Sequence, residues 1–231
     1  SLHQSGNLVD AGRLYRQVIR KSPGNIHALH YLGAIEAAAG NIERAKSLMA
    51  RSLSTSPPNL MFVENYATLL CQAGDFENAI LVCRKGLQLN KTSAILLLNS
   101  GMALFKTGQL PDALRQFDEL LLLHKEHLGA LNERGSVLAS MKQHEAALES
   151  FGRALMVDPG FVDAHINSGT VYWNLQRYEE ALACYSKAAS LNPGAAIAWL
   201  GCGSVASAFK RYDEALAAYD KAIAIDPSLS E

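Results

Sequence analysis

A period of 34 residues governs this chain. Proline recurs as Pro23, Pro57, Pro159, Pro193 and Pro227, always 34 residues or a whole multiple of 34 apart, and Lys91 and Lys125 fill the two slots between. Taking that slot as position 32 of a unit puts unit starts at residues 26, 60, 94, 128, 162 and 196, with the back half of an earlier unit in front. Self-similarity at this spacing excludes a globule with one unique core. Each unit buries its apolar face on its neighbours, and the chain is a stack.

The register assigns a steric role to several positions. Position 20 is alanine in all seven units, from Ala11 through Ala45, Ala79, Ala113, Ala147 and Ala181 to Ala215. Position 8 is Gly33, Ala67, Gly101, Gly135, Gly169 and Gly203, so it too rejects bulk. Position 24 is large at Tyr15, Met49, Phe117, Phe151, Tyr185 and Tyr219, with Cys83 as the exception. Small residues facing large ones are what two helices crossing at short range require.

Helix limits follow. Near position 15 the glycines Gly6, Gly40, Gly74 and Gly108 end a first helix, A; Lys142, Gln176 and Lys210 stand there later. Just beyond come Glu43, Glu77, Pro111, Glu145, Glu179 and Asp213, which suit the start of a second helix, B, near position 17. Helix B stops before the position-32 proline, which lacks an N–H and crowds the preceding turn. Apolar stripes are expected at positions 4, 7, 8 and 11 of helix A and at 20, 24 and 27 of helix B. The fold class is therefore all-α. Residues 1–25 are a partial repeat ending in helix B; the repeats are 26–59, 60–93, 94–127, 128–161, 162–195 and 196–231, the last including the start of a following unit at Ser230 and Glu231. Together they are expected to form one solenoid domain.

Charge narrows the function. With 21 basic and 22 acidic residues the chain has no excess that would draw it onto nucleic acid or an anionic membrane. Its longest apolar runs, such as Leu120 to Leu123, fall far short of a membrane span, and the leading SLHQSGNLVD has no signal-peptide character, so the chain reads as an excised piece. Cys71, Cys83, Cys184 and Cys202 make no CxxC pair, which points to reduced thiols and a cytoplasmic setting.

The segments RYEEALACYSKAASLNP (177–193) and RYDEALAAYDKAIAIDP (211–227) resemble the second halves of tetratricopeptide repeats, and through the register the resemblance covers the whole chain. It implies a right-handed superhelical solenoid of antiparallel helix pairs whose concave wall, built from helices A, binds proteins or peptides. AHINSG (164–169) and LLNSG (97–101) are further similar to helix A in the repeats of bacterial O-linked N-acetylglucosamine transferase-like proteins. In that family an asparagine ladder at position 6 grips the backbone of an extended polypeptide, which would make this chain the substrate arm of a glycosyltransferase. Here Asn65, Asn99 and Asn167 occupy position 6, whereas Tyr31, Glu133 and Gly201 interrupt the ladder.

If positions 4, 7, 8 and 11 face helix B, then positions 2, 5, 6, 9, 12 and 13 lie opposite, on the concave side that the resemblance implies. The candidate peptide-binding residues on that face are Asn65, Asn99, Asn132, Asn167, Asn174, Thr170, Phe105 and Trp173. Amides donate and accept at once, and the two aromatics could seat apolar side chains. Met61, Ile95, Leu98, Met102, Ile166, Ile197 and Leu200 share the face, as ligand contacts or as packing between repeats. Positions 2, 5, 6 and 9 hold no Lys or Arg, which excludes a clamp for an acidic chain terminus; Lys106 at position 13 is the single lysine of this wall.

Catalytic motifs do not survive the register. Gly201-Cys202-Gly203 with Ala206 imitates a dinucleotide fingerprint, but no strand precedes it and Gly203 is already a position-8 residue. The pairs His27/His30 and His124/His127 have no third metal ligand, and no Cys/His nucleophile pair is supported. Neither cofactor, metal nor enzymatic activity is expected. The expected partner is a protein or an extended peptide, with self-association through uncapped ends as a further outcome.

Overall fold

The computed structural model describes residues 8–54 and 57–230; Gly6 and Glu231 lie outside the described residues. Within it are thirteen α-helices and one terminal 3-10 turn, with no strand among the described residues. They are α1 (Leu8–Lys21), α2 (Ile26–Ala38), α3 (Ile42–Ser52), α4 (Leu60–Gln72), α5 (Phe76–Leu89), α6 (Ala94–Lys106), α7 (Leu110–Leu123), α8 (Leu128–Ser140), α9 (His144–Val157), α10 (Val162–Asn174), α11 (Tyr178–Leu191), α12 (Ala196–Ala208) and α13 (Tyr212–Ile225). The even-numbered helices are helices A and begin at position 1. The odd-numbered helices are helices B and begin at position 17. The chain divides into two compact units, residues 1–116 and 117–231, with the division inside α7.

Why each helix ends where it does is visible in the backbone. At the A-to-B turn the N–H of position 16 bonds the carbonyl of position 11, as in Asp75 to Leu70 at 2.9 Å and Arg177 to Tyr172 at 2.9 Å. This closure demands a left-handed residue at position 15. Gly40, Gly74 and Gly108 supply it with φ of 81°, 73° and 77°. Lys142, Gln176 and Lys210 hold the same conformation, at 61°, 58° and 60°, against the steric preference of a residue with a Cβ. Helix α3 stops at Ser52, a turn earlier than the other B helices, and the Pro57–Pro58 pair follows it.

Four of the six helices A start on side-chain caps at position 34 that the sequence reading did not pick out, whereas Phe161 and Ala195 make no such bond. Asn25, Asn59 and Ser93 accept from the N–H of Ala28, Phe62 and Leu96, and His127 Nδ1 accepts from Ala130, so this histidine is a cap rather than a ligand. The carbonyl of position 32 is likewise used. Arg51 donates to Pro23, Arg153 to Lys125 and the Trp199 indole to Pro193, each near 3 Å, and His165 Nε2 lies 3.1 Å from the Pro159 oxygen. These bonds pin four of the inter-repeat loops to the helix pair that follows them.

Packing within a hairpin rests on the small-to-large crossing. A Cβ placed on Gly33 would sit 2.8 Å from Met49, one on Gly169 2.8 Å from Tyr185, and one on Gly203 2.6 Å from Tyr219. Gly135 would run into the Phe151 ring in the same way. In the second repeat the roles relax together, since Ala67 carries a Cβ and its partner is the smaller Cys83. The buried stripe of helix A is wider than expected. Position 3 is buried in every full repeat (Ala28, Phe62, Leu96, Ala130, Ala164, Ala198), and so is position 10 from Leu69 onward, because helix A is covered by the helices before it as well as by its own helix B. Replacing Gln176 by Gly should raise stability by about 0.5–1 kcal/mol, the left-handed strain relieved less the extra freedom of the unfolded chain. Gly74→Ala should lower it by a similar amount. Urea midpoints measure both, and a lower midpoint for Gln176→Gly contradicts the turn assignment.

Candidate functional site

Each of the two units carries its own helix-A face. In the first, Asn65 Nδ2 lies 3.0 Å from His30 Nε2, and Asn99 Nδ2 donates to Thr68 Oγ1 at 2.9 Å. In the second, Asn167 Nδ2 donates to Asn132 Oδ1 at 2.9 Å and reaches Ser136 Oγ at 3.5 Å. The pattern is the same in both units: the amide at position 6 reaches back to position 5 or 9 of the preceding helix A. Asn99 and Asn132 are buried by it, at 7% and 5% exposure. Asn65, Asn174 and Thr170 stay exposed, and Asn167, Phe105 and Trp173 are half-buried.

The aromatic candidates are also engaged. Trp173 lies against Tyr178, with ring centroids 5.1 Å apart, at the edge of the cluster that includes Tyr185, Val205 and Phe209. Lys106 Nζ is 5.9 Å from the Phe105 ring centre. Thr170 accepts from the Tyr185 hydroxyl at 3.2 Å, a link from helix B to the candidate face that periodicity alone does not reveal. What this face leaves open is a set of apolar side chains at position 2, where Met61, Ile95 and Ile197 are 43%, 48% and 58% exposed. In the first unit the face thus combines Met61 and Ile95 with the exposed amide of Asn65.

Buried polar groups account for the remaining motifs. His30 stacks flat on Phe62 at 3.9 Å, and His27 meets the same ring edge-on at 5.4 Å, so the pair packs one aromatic ring. Burial, aided by the charge of His27, lowers the His30 pKa to about 4. Glu36 is 3% exposed: burial opposes its ionisation, but bonds from Arg16 and Asn41 and the charge of Arg44 outweigh it and hold its pKa low. Arg134, at a position that is small or apolar in most repeats, joins Asp118 Oδ1 and Ser150 Oγ, both at 2.6 Å. Burial pushes the Cys71 thiol up to about 11 and Cys83 to about 12, where neither is a nucleophile near neutral pH. Among the described residues no three His, Cys, Asp or Glu side chains are grouped as metal ligands. Among the described residues no helix is long and apolar enough to cross a membrane.

Comparison with known proteins agrees with this geometry. Tetratricopeptide repeat profiles match residues 98–160 and 166–230, and a second one matches 2–60. The chain belongs to the tetratricopeptide repeat family. Among solved structures it is similar to a tetratricopeptide repeat protein from Parabacteroides merdae, at 20% identity and a TM-score of 0.81 over 97% of this chain and 89% of that one. It also resembles MamA (24% identity, TM-score 0.62, 71% of this chain and 96% of that one). A third similar structure is YrrB, described as having an unusual peptide-binding site (23%, TM-score 0.58, 78% and 92%). At these identities the likeness is one of fold. No curated protein sequence matches.

His30 sets a pH dependence. Its proton affinity is ordinary (pKa 6.5) in the unfolded chain and depressed to about 4 in the fold. Between those values the unfolded chain binds more protons, so stability is complete above the upper value and is lost as pH falls toward the lower. The unfolding free energy from urea titrations should fall by roughly 2 kcal/mol between about pH 7.5 and about pH 5, and His30→Asn should flatten that slope. An equal slope in the variant would remove His30 as its cause.

Proposed function

We propose that the chain is a non-catalytic, protein-binding scaffold that holds an extended polypeptide on its helix-A face. The observation that supports this is the row of exposed apolar residues at position 2 beside polar side chains. Met61 and Ile95 share the face with the exposed Asn65 in the first unit, and Ile197 shares it with Thr170 and Asn167 in the second. Alternation of apolar seats and amides suits an extended chain, whose side chains and backbone polar groups alternate likewise. YrrB, with its peptide-binding site, is a relative in fold for which peptide capture is stated.

The interlocked amides change the role assigned to the ladder. Asn99 and Asn132 act first as bonds between repeats, and Asn65, Asn174 and Thr170 are the polar candidates open to a ligand. The transferase-arm reading depends on a full ladder offering its amides outward; it rests on AHINSG and LLNSG alone.

The test uses peptides selected by display against the full chain. Met61→Asp/Ile95→Asp alters exposed side chains, and Asn65→Ala removes an exposed amide together with its contact to His30, so circular dichroism and a urea midpoint first establish that each variant is folded. Each should weaken a selected peptide by about tenfold, equivalent to about 1.4 kcal/mol, in fluorescence polarisation. Unchanged affinity in both removes the helix-A face from the proposal.

A further inference from the structure

Departures of the second and third repeats from the register collect at one place on the B side of the first unit. Between α3 and α5 the groove is bridged. Tyr66 at position 7 packs beside Met49 and Ala79, and Lys46 at position 21 forms an ion pair of 2.5 Å with Asp75 at position 16 of the next repeat. One repeat later, between α5 and α7, position 7 is Ser100, and the corresponding pair is Ile80 and Gln109, which cannot bridge by charge. An open cleft of about 330 Å³ results.

Its lining is sorted by chemistry. Ile80, Leu87 and Leu104 give it an apolar part, and Arg84, Lys91 and Arg115 give it three cations against the single acid Asp112. Asp112 pairs with Arg115 at 2.7 Å. Arg84 and Lys91 are exposed and have no ion-pair partner among the described residues. Lys91 stands in a slot that is proline in five of seven units, so the substitution that breaks the repeat pattern places a cation in this cleft. The local excess of positive charge occurs in a chain of net charge −1.

We propose that this cleft is a second docking site, for an acidic segment of a partner polypeptide in which carboxylates flank an apolar side chain. Two unpaired cations beside an apolar lining match that chemistry. Three cations are too few to hold a nucleic acid backbone, whose binding depends on many phosphate contacts. The site is independent of the helix-A face, since Met61, Asn65 and Ile95 do not line it.

The probe is a fluorescein-labelled decapeptide alternating glutamate and leucine, with its lysine–leucine counterpart as control, titrated into the full chain at low salt. Saturable binding of the acidic peptide is expected, with amide shifts at Arg84, Lys91, Ser100 and Leu104. Arg84→Glu/Lys91→Glu, two exposed side chains, should weaken it by at least about tenfold, and added salt should weaken it too. Met61→Asp/Ile95→Asp should leave this binding unchanged, so failure here and failure of the helix-A face are separable. No saturation, equal binding of the lysine peptide, indifference to the charge reversal, or shifts confined to the helix-A face would each overturn the proposal.

Discussion

Everything in this molecule depends on how closely helix A passes over helix B. With glycine or alanine at position 8 and alanine at position 20, the two backbones approach until a large side chain at position 24 lies directly on the backbone of helix A. The Phe151 and Tyr185 rings occupy the space that a Cβ on Gly135 or Gly169 would need. Tyr185 is pressed from a second side by the next repeat, where a Cβ on Gly201 would come within 2.6 Å of its ring. That explains an apparent irregularity: Gly201 interrupts the asparagine series because Tyr185 lies over it.

A tight hairpin fixes where its outer faces point, and repeats are then joined by polar as well as apolar contacts. Position-6 amides reach the preceding helix A, and position-32 carbonyls are taken up by Arg51, Arg153 and Trp199. The amide bonds lie in partly buried seams, where an unpaired amide would be costly, whereas the position-32 carbonyl bonds are exposed to solvent. The same amides that looked free for a ligand therefore have a first duty inside the array. In the proposed function, ligand contact is assigned to the side chains that stay exposed, namely the apolar position-2 residues, Asn65 and Thr170.

Sequence alone carried the all-α hairpin architecture, because steric exclusion recurs every 34 residues and leaves a repeated imprint at positions 8, 20 and 24. It did not carry the full breadth of the buried stripe. Positions 3 and 10 hold residues as different as Ala130 and Phe62, and their burial comes from neighbouring repeats, which a single-helix wheel omits. Caps at position 34 were missed since three residue types do the work; reading Asn25, Asn59, Ser93 and His127 as one column would have found them. The partners of Asn99 and Asn167 were beyond reach, because direction of an amide depends on the separation of successive helices A. The open cleft beside Ser100 is legible only by comparing one groove with the next.

The central claim is that position 8 and position 24 are chosen as a pair, as the coupled exchange to Ala67 and Cys83 in the second repeat suggests. A double-mutant cycle in the fourth repeat measures it most directly, using urea unfolding of wild type, Gly135→Ala, Phe151→Cys and the double variant. The double variant should be more stable than the sum of the single effects by at least about 1 kcal/mol, because the smaller residue removes the clash that the added methyl creates. Additive effects would show that the two positions vary independently and that the crossing does not set the register.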